Sequence, residues 1–277
     1  MIIAELIGGL GNQMFQYAAG LALADRLATP FAYDDSAFAR YPLRPFALGD
    51  WCITARAASE LERLRVASLG HIIEEHGSVF MPALLAAHGP TYLKGYWQSE
   101  EYFAKMRPRL LREFSPRWAL TEQDIGICQQ MQQNVSISLH VRRGDYVANA
   151  HTNSFHGVMG LDYYREGLDR ILSGLSPNGA LNEPMVFIFS DDPDWCESAF
   201  DWINQKVIVR HNPPDRGFMD IHLMRQCKHH IIANSSFSWW GAWLCENENQ
   251  IVIAPRAWFQ SEQAESSHIV PPRWIQL

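Results

Sequence analysis

Along the chain, short β-branched and aliphatic runs alternate with stretches whose apolar positions recur every three to four residues. Strand followed by helix, repeated, is the pattern of an α/β protein with parallel sheets. Residues 2–7 read as a strand, GGLGN as a turn, and 13–27 as a helix carrying Met14, Tyr17, Ala18, Leu21 and Leu27 on one period. PFAYDD then reads as a second strand, 55–88 as helical in pieces, Thr91–Lys94 as a short strand and 100–114 as a helix, with SPRW as a connector.

After a helix at about 122–133, the second half repeats the alternation. VSISLHV, MVFIFSDD, KVIVRH, HHIIANS and QIVIAP are strands, and LDYYREGLDRIL, a segment from Asp194, GFMDIHLMRQC and SWWGAWLCE are helices. Five strands with intervening helices make a sheet of their own, which puts a boundary near Asn134 and divides the chain into domains 1–134 and 135–277. The hydrophilic 262–268 stretch reads as a surface loop, and PPRWIQL has no assigned destination.

The balance of 23 Lys and Arg against 30 Asp and Glu, a formal charge of −7 over 277 residues, argues against a sequence-independent grip on a polyanion. Nucleic acid is not the expected partner, but basic residues gathered locally still suit a small anion such as a nucleotide. Five scattered cysteines without a CxxC pair suit a reducing compartment. No basic segment precedes the first apolar residues, and no apolar run reaches the ~18 residues of a membrane span. A cytoplasmic protein is the expectation.

In an open parallel sheet ligands bind outside the carboxyl ends of the strands, so chemistry is sought there. NSSFSWW ends a strand and begins a helix, where Ser235 and Ser236 can cap the first turn and leave an anion site at its mouth. Two serines that merely cap are the plainer reading, and Trp239, Trp240 and Trp243 read as core. In HVRRGDY, strand alternation places Arg142 on one face with Ser136, Ser138 and His140, a face expected to line a cleft, and Arg143 on the other. A guanidinium fork suits a diphosphate, and a surface salt bridge is the plainer alternative. GGLGNQMF resembles half of a dinucleotide fingerprint, with Asp34 and Asp35 ending the next strand, but Met14 stands where the third glycine belongs. SDDPDW offers Asp191, Asp192 and Asp194 as a metal site, or simply as a helix start.

Taken together, GGLGNQMFQYA at the amino end, GYWQSEEYF at 95–103, HVRRGDY, FSDD at 189–192 and NSSFSWWGAWL at 234–244 resemble the bacterial α-1,2-fucosyltransferases of glycosyltransferase family eleven over nearly the whole length. The resemblance implies a GT-B fold of two facing Rossmann-like domains, the first on the acceptor side and the second binding the donor. It implies inverting, metal-independent transfer of L-fucose from GDP-L-fucose to the 2-hydroxyl of a β-galactoside, in an oligosaccharide or lipid-linked O-antigen unit, with no cofactor. Peripheral association with the inner membrane face stays open. Arg142 would hold the β-phosphate, His140 would lie near the nucleotide, and Ser235, Ser236 and Phe237 would face the diphosphate, with Gly11, Asp191 and Asn234 also on the donor. Asp220 would read guanine, whose N1–H and N2 amine suit a carboxylate. Asn12 would stand near the departing phosphate or the sugar, and Tyr96 and Trp97 near the acceptor, unless they are simply buried.

A related α-1,6 group carries a glutamate after its HxRR motif as a candidate base, and that position is Ala150 here. Asp145, His151 and His156 are the remaining candidates, with Asp145 favoured. Three other readings stay open: an NAD-type oxidoreductase using GGLGNQ with Asp34 or Asp35, a glycan-binding protein suggested by ten tryptophans, and a fucosyltransferase of another linkage.

Overall fold

The computed structural model describes residues 1–40, 44–76, 80–144, 158–175, 183–259 and 268–277. Two compact units divide the chain, Met1–Arg117 with Glu265–Pro271, and Trp118–Ala264 with Pro272–Leu277.

In the first unit, β1 (Ile2–Glu5), β2 (Phe31–Asp34), β3 (Arg56–Ala57), β4 (His71–Glu74) and β5 (Thr91–Lys94) form a parallel sheet in the order β3-β2-β1-β5-β4. β1 lies at its centre because Ile2, Ile3 and Ala4 bury on both faces, as a central parallel strand requires. Helix α1 (Leu10–Arg26) follows β1 and begins earlier than the apolar period suggested, at the end of the glycine turn. The stretch expected to be helical in pieces holds α2 (Glu60–Leu69) and α3 (Pro82–Ala86), but also β3 and β4. Both strands are short and largely exposed at the sheet edges, so neither carries a buried alternation that a sequence could display. The helix expected at 100–114 is regular only over α4 (Arg107–Glu113), after two 3₁₀ turns, with Pro108 in its first turn where no N–H is missed.

The second unit runs α5 (Glu122–Gln133), β6 (Ser136–Val141), α6 (Leu161–Leu175), β7 (Met185–Ser190), α7 (Pro193–Ala199), β8 (Lys206–Val209), α8 (Gly217–Met224), β9 (His229–Ile231), α9 (Ser236–Trp243), β10 (Val252–Ala254) and β11 (Ile275–Gln276). PPRWIQL supplies β11, a sixth strand at the sheet edge beside β10, with Trp274 packed on Trp239. The parallel order β11-β10-β9-β6-β7-β8 reads outward from β6 in both directions, so the winding reverses between β6 and β9. Such a reversal opens a crevice at the strands' carboxyl ends. Ile137, Leu139 and Val141 of β6 pack with Tyr164, Leu168 and Ile171 of α6 and with Cys196 of α7. Trp239, Trp240 and Trp243 are buried as core residues of α9, with Trp239 stacked on Trp243 and Trp240 edge-on to both.

The boundary expected near Asn134 falls inside the second unit, because α5 belongs there. Thr121 and Asp124 form a capping box at its start, and the same fully buried Asp124 carboxylate accepts from His211 Nε2 at 2.8 Å and Arg216 Nη2 at 3.4 Å. One carboxylate thus ties α5 to the loop between β8 and α8. Burial alone would raise its pKa, but the bonds from Thr121 and His211 hold it below the usual carboxylate range. A depressed carboxyl contributes its stability above the unfolded value, about pH 4, and loses it as the pH falls through the folded value. Asp124→Ala, which leaves an arginine, a histidine and a helix start uncompensated, is expected to destabilise the second unit by about 3 kcal/mol in urea unfolding at pH 7. The difference from the parent should narrow below about pH 4.

Candidate active site

The carboxyl edge of the second sheet gathers the motifs that carry charge. β6 and β7 pair in parallel with Val141 opposite Ser190, so Arg142-Arg143 and Asp191-Asp192 leave the sheet side by side. Arg142 Nη1 lies 2.9 Å from Asp191 Oδ2, and Arg143 Nε lies 3.2 Å from Asp192 Oδ2. Asp191 Oδ1 also accepts the Arg143 backbone N–H at 2.8 Å, and Asp192 caps α7 through the N–H of Trp195. The guanidinium of Arg143 lies over the Trp195 ring, 3.9 Å from its centre. Arg143 is therefore held from both sides, while Arg142 is oriented by Asp191, and both stay partly exposed. Asp191, Asp192 and Asp194, the three aspartates of the expected metal motif, are each engaged by an arginine, the last by Arg210, and the described residues contain no group of three or more metal-ligating side chains.

The expectation that alternation sends Arg142 into a cleft with Ser136, Ser138 and His140 requires correction. The strand ends at Val141, so alternation does not reach Arg142, and the serine face is covered within its own unit. Ser138 Oγ meets His230 Nδ1 at 2.9 Å, and Ser136 Oγ accepts from the Lys228 N–H. His140 is 4% exposed and stacks against Phe237, with 5.7 Å between ring centres. Its Nδ1 has no partner among the described residues. Burial lowers the pKa of His140 to about 3, with Asp191 opposing and Arg142 adding to the shift, so the imidazole is neutral at pH 7.

Across the reversal point, Asn234, Ser235 and Ser236 follow β9. Ser235 is the N-cap of α9 and accepts from the Phe237 N–H, and Asn234 Nδ2 donates to the Trp258 carbonyl. Ser235, Ser236 and Phe237 remain partly exposed at the mouth of α9, the end of the helix whose dipole favours an anion. Phe237 links His140 to α8, since a Cβ on Gly217 would sit 3.5 Å from its ring. Asp220, in the first turn of α8, accepts from Asn212 Nδ2 at 2.8 Å. Burial raises its pKa to about 6, partly offset by Asn212. Asn212 and Trp195 were not among the expected residues: Asn212 belongs to no motif, and Trp195 closes the SDDPDW stretch, where only folding sets its ring against Arg143.

The first unit presents its own reversal point, between β1 and β5. The glycine turn after β1 meets GYWQ after β5 there, and the amides of α1 join them. Gln16 accepts from the Ile7 N–H and donates to the Gly95 carbonyl, Gln13 spans Gly8, Pro45 and Ala47, and Asn12 Oδ1 accepts from Gln98 at 2.8 Å. Gly11 is buried in the first turn of α1. Gly8 has φ +77°, and a Cβ there would lie 2.9 Å from Asn12 Nδ2 and 3.4 Å from the Tyr96 ring, so both backbone and space favour glycine. Tyr96 is 42% exposed, whereas Trp97 is fully buried and its ring is withdrawn from any acceptor. Trp97 also has φ +56°, a conformation that costs a bulky residue about 1–3 kcal/mol. Asp34, one of the two aspartates offered by the oxidoreductase reading, is already occupied by Tyr92, Arg63 and the Ser36 N–H. Asp145, Ala150, His151 and His156 lie outside the described residues.

Comparison with known proteins adds an independent line. An α-1,2-colitosyltransferase of Escherichia coli is 30% identical, over 100% of this chain and 99% of its own length. The O-antigen biosynthesis glycosyltransferase WbnK of Escherichia coli is 31% identical over 98% and 99%. A mouse galactoside 2-α-L-fucosyltransferase, Sec1, is 27% identical over 88% of this chain and 64% of its own. The family model described as glycosyl transferase family 11 matches residues 61–277, which include the arginine pair, the aspartate pair and the mouth of α9. This chain is a sugar-transferring enzyme and belongs to glycosyl transferase family 11.

Proposed function

We propose that this enzyme is an inverting galactoside α-1,2-L-fucosyltransferase that uses GDP-L-fucose, needs no metal ion, and acts on a β-galactoside in an oligosaccharide or lipid-linked O-antigen unit. One observation supports this reading above the others: Arg142 follows β6 and pairs with Asp191, His140 of the same strand packs on Phe237 in the first turn of α9, and Phe237 lies against Gly217 at the start of α8, the helix that carries Asp220. A guanidinium and helix N–H groups suit a diphosphate, and a carboxylate suits guanine. Cleavage of the sugar–phosphate bond leaves negative charge on the β-phosphate, so donors fixed in advance stabilise the transition state more than the ground state. Asp191 fixes the fork of Arg142, and the neutral His140 adds no competing charge beside it. Attack by the 2-hydroxyl from the opposite face turns a β-linked donor into an α-linked product. The names of the relatives favour a galactoside acceptor and an α-1,2 linkage, and the colitosyl relative makes the donor sugar the first thing to test.

The test is incubation with GDP-L-fucose, and separately with the GDP-colitose counterpart, against a panel of β-galactosides, with the linkage read by NMR. An α-1,2 fucoside is the expected product, and transfer of colitose alone or a β-linked product would overturn the reading. Arg142→Lys should lower kcat by at least about 10²–10³-fold, since a point charge does not reproduce the fork. Arg143→Lys, which disturbs a partly exposed pair away from the bond being broken, should stay within about fivefold of the parent. GDP affinity, measured by isothermal titration, should weaken about tenfold from pH 7 to pH 5 as Asp220 takes up its proton, and Asp220→Asn should abolish that part of the pH dependence. Turnover should persist in excess EDTA, and a loss restored by magnesium or manganese would return Asp191 and Asp192 to a metal role.

A further inference from the structure

The turn after β5 and the carboxyl group behind it take no part in donor chemistry as derived above. Glu75 follows β4 and reaches across to this turn, where Oε2 accepts the Tyr96 N–H at 2.6 Å and the Trp97 N–H at 3.1 Å. The fit admits nothing larger than glycine at the start of the turn, since Gly95 has φ +140° and a Cβ there would lie 2.3 Å from the Glu75 Cβ. Two successive N–H groups directed at one carboxylate are what hold Trp97 in its left-handed conformation. Burial raises the pKa of Glu75, and the bonds from Trp97 and Tyr96 oppose the rise.

In front of this carboxylate lies a shallow depression, open to solvent, with enclosed room for about one water molecule, lined by Glu75, Phe80, Tyr96, Gln98, Tyr102 and His268, so that a sugar would lie across it. Phe80 and Tyr102 face each other at 4.8 Å between ring centres, and Phe80 meets His268 at 5.5 Å. Gln98, on the opposite wall, is held by Asn12. Aromatic surface next to a carboxylate and an amide is the chemistry that recognises a sugar, whose C–H face is apolar and whose hydroxyls donate.

We propose that Glu75 is a positioning residue that latches the Gly95–Gln98 turn into place as one wall of a saccharide subsite for the acceptor. The proposal rests on the reading of this enzyme as a galactoside transferase and identifies which part of the first unit takes the galactoside. Gln98 and Tyr96 meet the sugar directly, and Glu75 acts through the turn. Loss of the latch lets the turn relax, so acceptor affinity falls while the donor site in the second unit is untouched.

The test compares Glu75→Gln with the parent enzyme, using methyl β-galactoside as acceptor. The glutamine keeps the size of the side chain and one acceptor oxygen but removes the negative charge that strengthens the bonds from the turn. The KM for the galactoside should rise by about tenfold, the loss of a charge-assisted hydrogen bond, with kcat, the GDP dissociation constant and the slow hydrolysis of the donor in the absence of acceptor unchanged. Gly95→Ala, which displaces Glu75 from the other side, should move the same KM and serves if the first variant does not fold. An unchanged acceptor KM in a folded variant, or an equal loss of GDP affinity, overturns the latch. A parent enzyme that transfers to no galactoside would instead overturn the functional reading on which it rests.

Discussion

The in-register pairing of β6 with β7 is the constraint on which the donor edge depends. Two arginines at the end of one strand would repel each other if left alone, and two aspartates at the end of the next would do the same. Parallel pairing with Val141 opposite Ser190 delivers the cations and the carboxylates to the same edge, so each pair neutralises the other. The two ion pairs are not equivalent. Both arginines stay partly accessible, but Arg143 is held by Asp192 and by the face of Trp195, whereas Arg142 is oriented by Asp191. A chain with an overall charge of −7 can in this way present a local cation to an anionic ligand.

Much of this was legible from residues alone. The alternation of strand and helix, the limits of α5, and the strand-to-helix junctions at SDD and NSS stand where the pattern set them, because long periodic segments bury one face in a predictable way. What stayed hidden was decided by tertiary contact. β3 and β4 are edge strands too short to show a period, and β11 forms only because β10 offers it an edge. The domain division moved from Asn134 to Arg117 and Trp118 through one buried carboxylate, Asp124, whose partners lie in a distant loop. The face of Ser136, Ser138 and His140 looked like a cleft wall because it is polar, but buried polar groups also pair internally, as Ser138 does with His230. Trp97 carries the chemistry of a sugar platform and the burial of a core residue.

The two reversal points solve the same problem with different materials. The second sheet aims charge and helix N–H groups outward, with a neutral histidine beneath them. The first sheet uses side-chain amides and one carboxylate to fix loop backbones, leaving aromatic and hydroxyl groups at the surface. Charge suits a diphosphate and neutral hydrogen-bonding surface suits a saccharide.

The amides of α1 have an implication for how such enzymes diverge. Gln13 and Gln16 grip the surrounding loops at Gly8, Pro45, Ala47, Gly95 and Ile7 through peptide carbonyl and N–H groups alone. A peptide group is the same whatever residue bears it, so the anchors at Ile7, Pro45 and Ala47 are blind to side-chain identity, whereas Gly8 and Gly95 are fixed by their conformation and close neighbours. Mutation can therefore rewrite the side chains at many loop positions while the loops keep their paths, which lets preference for one glycan drift toward another without the scaffold being rebuilt.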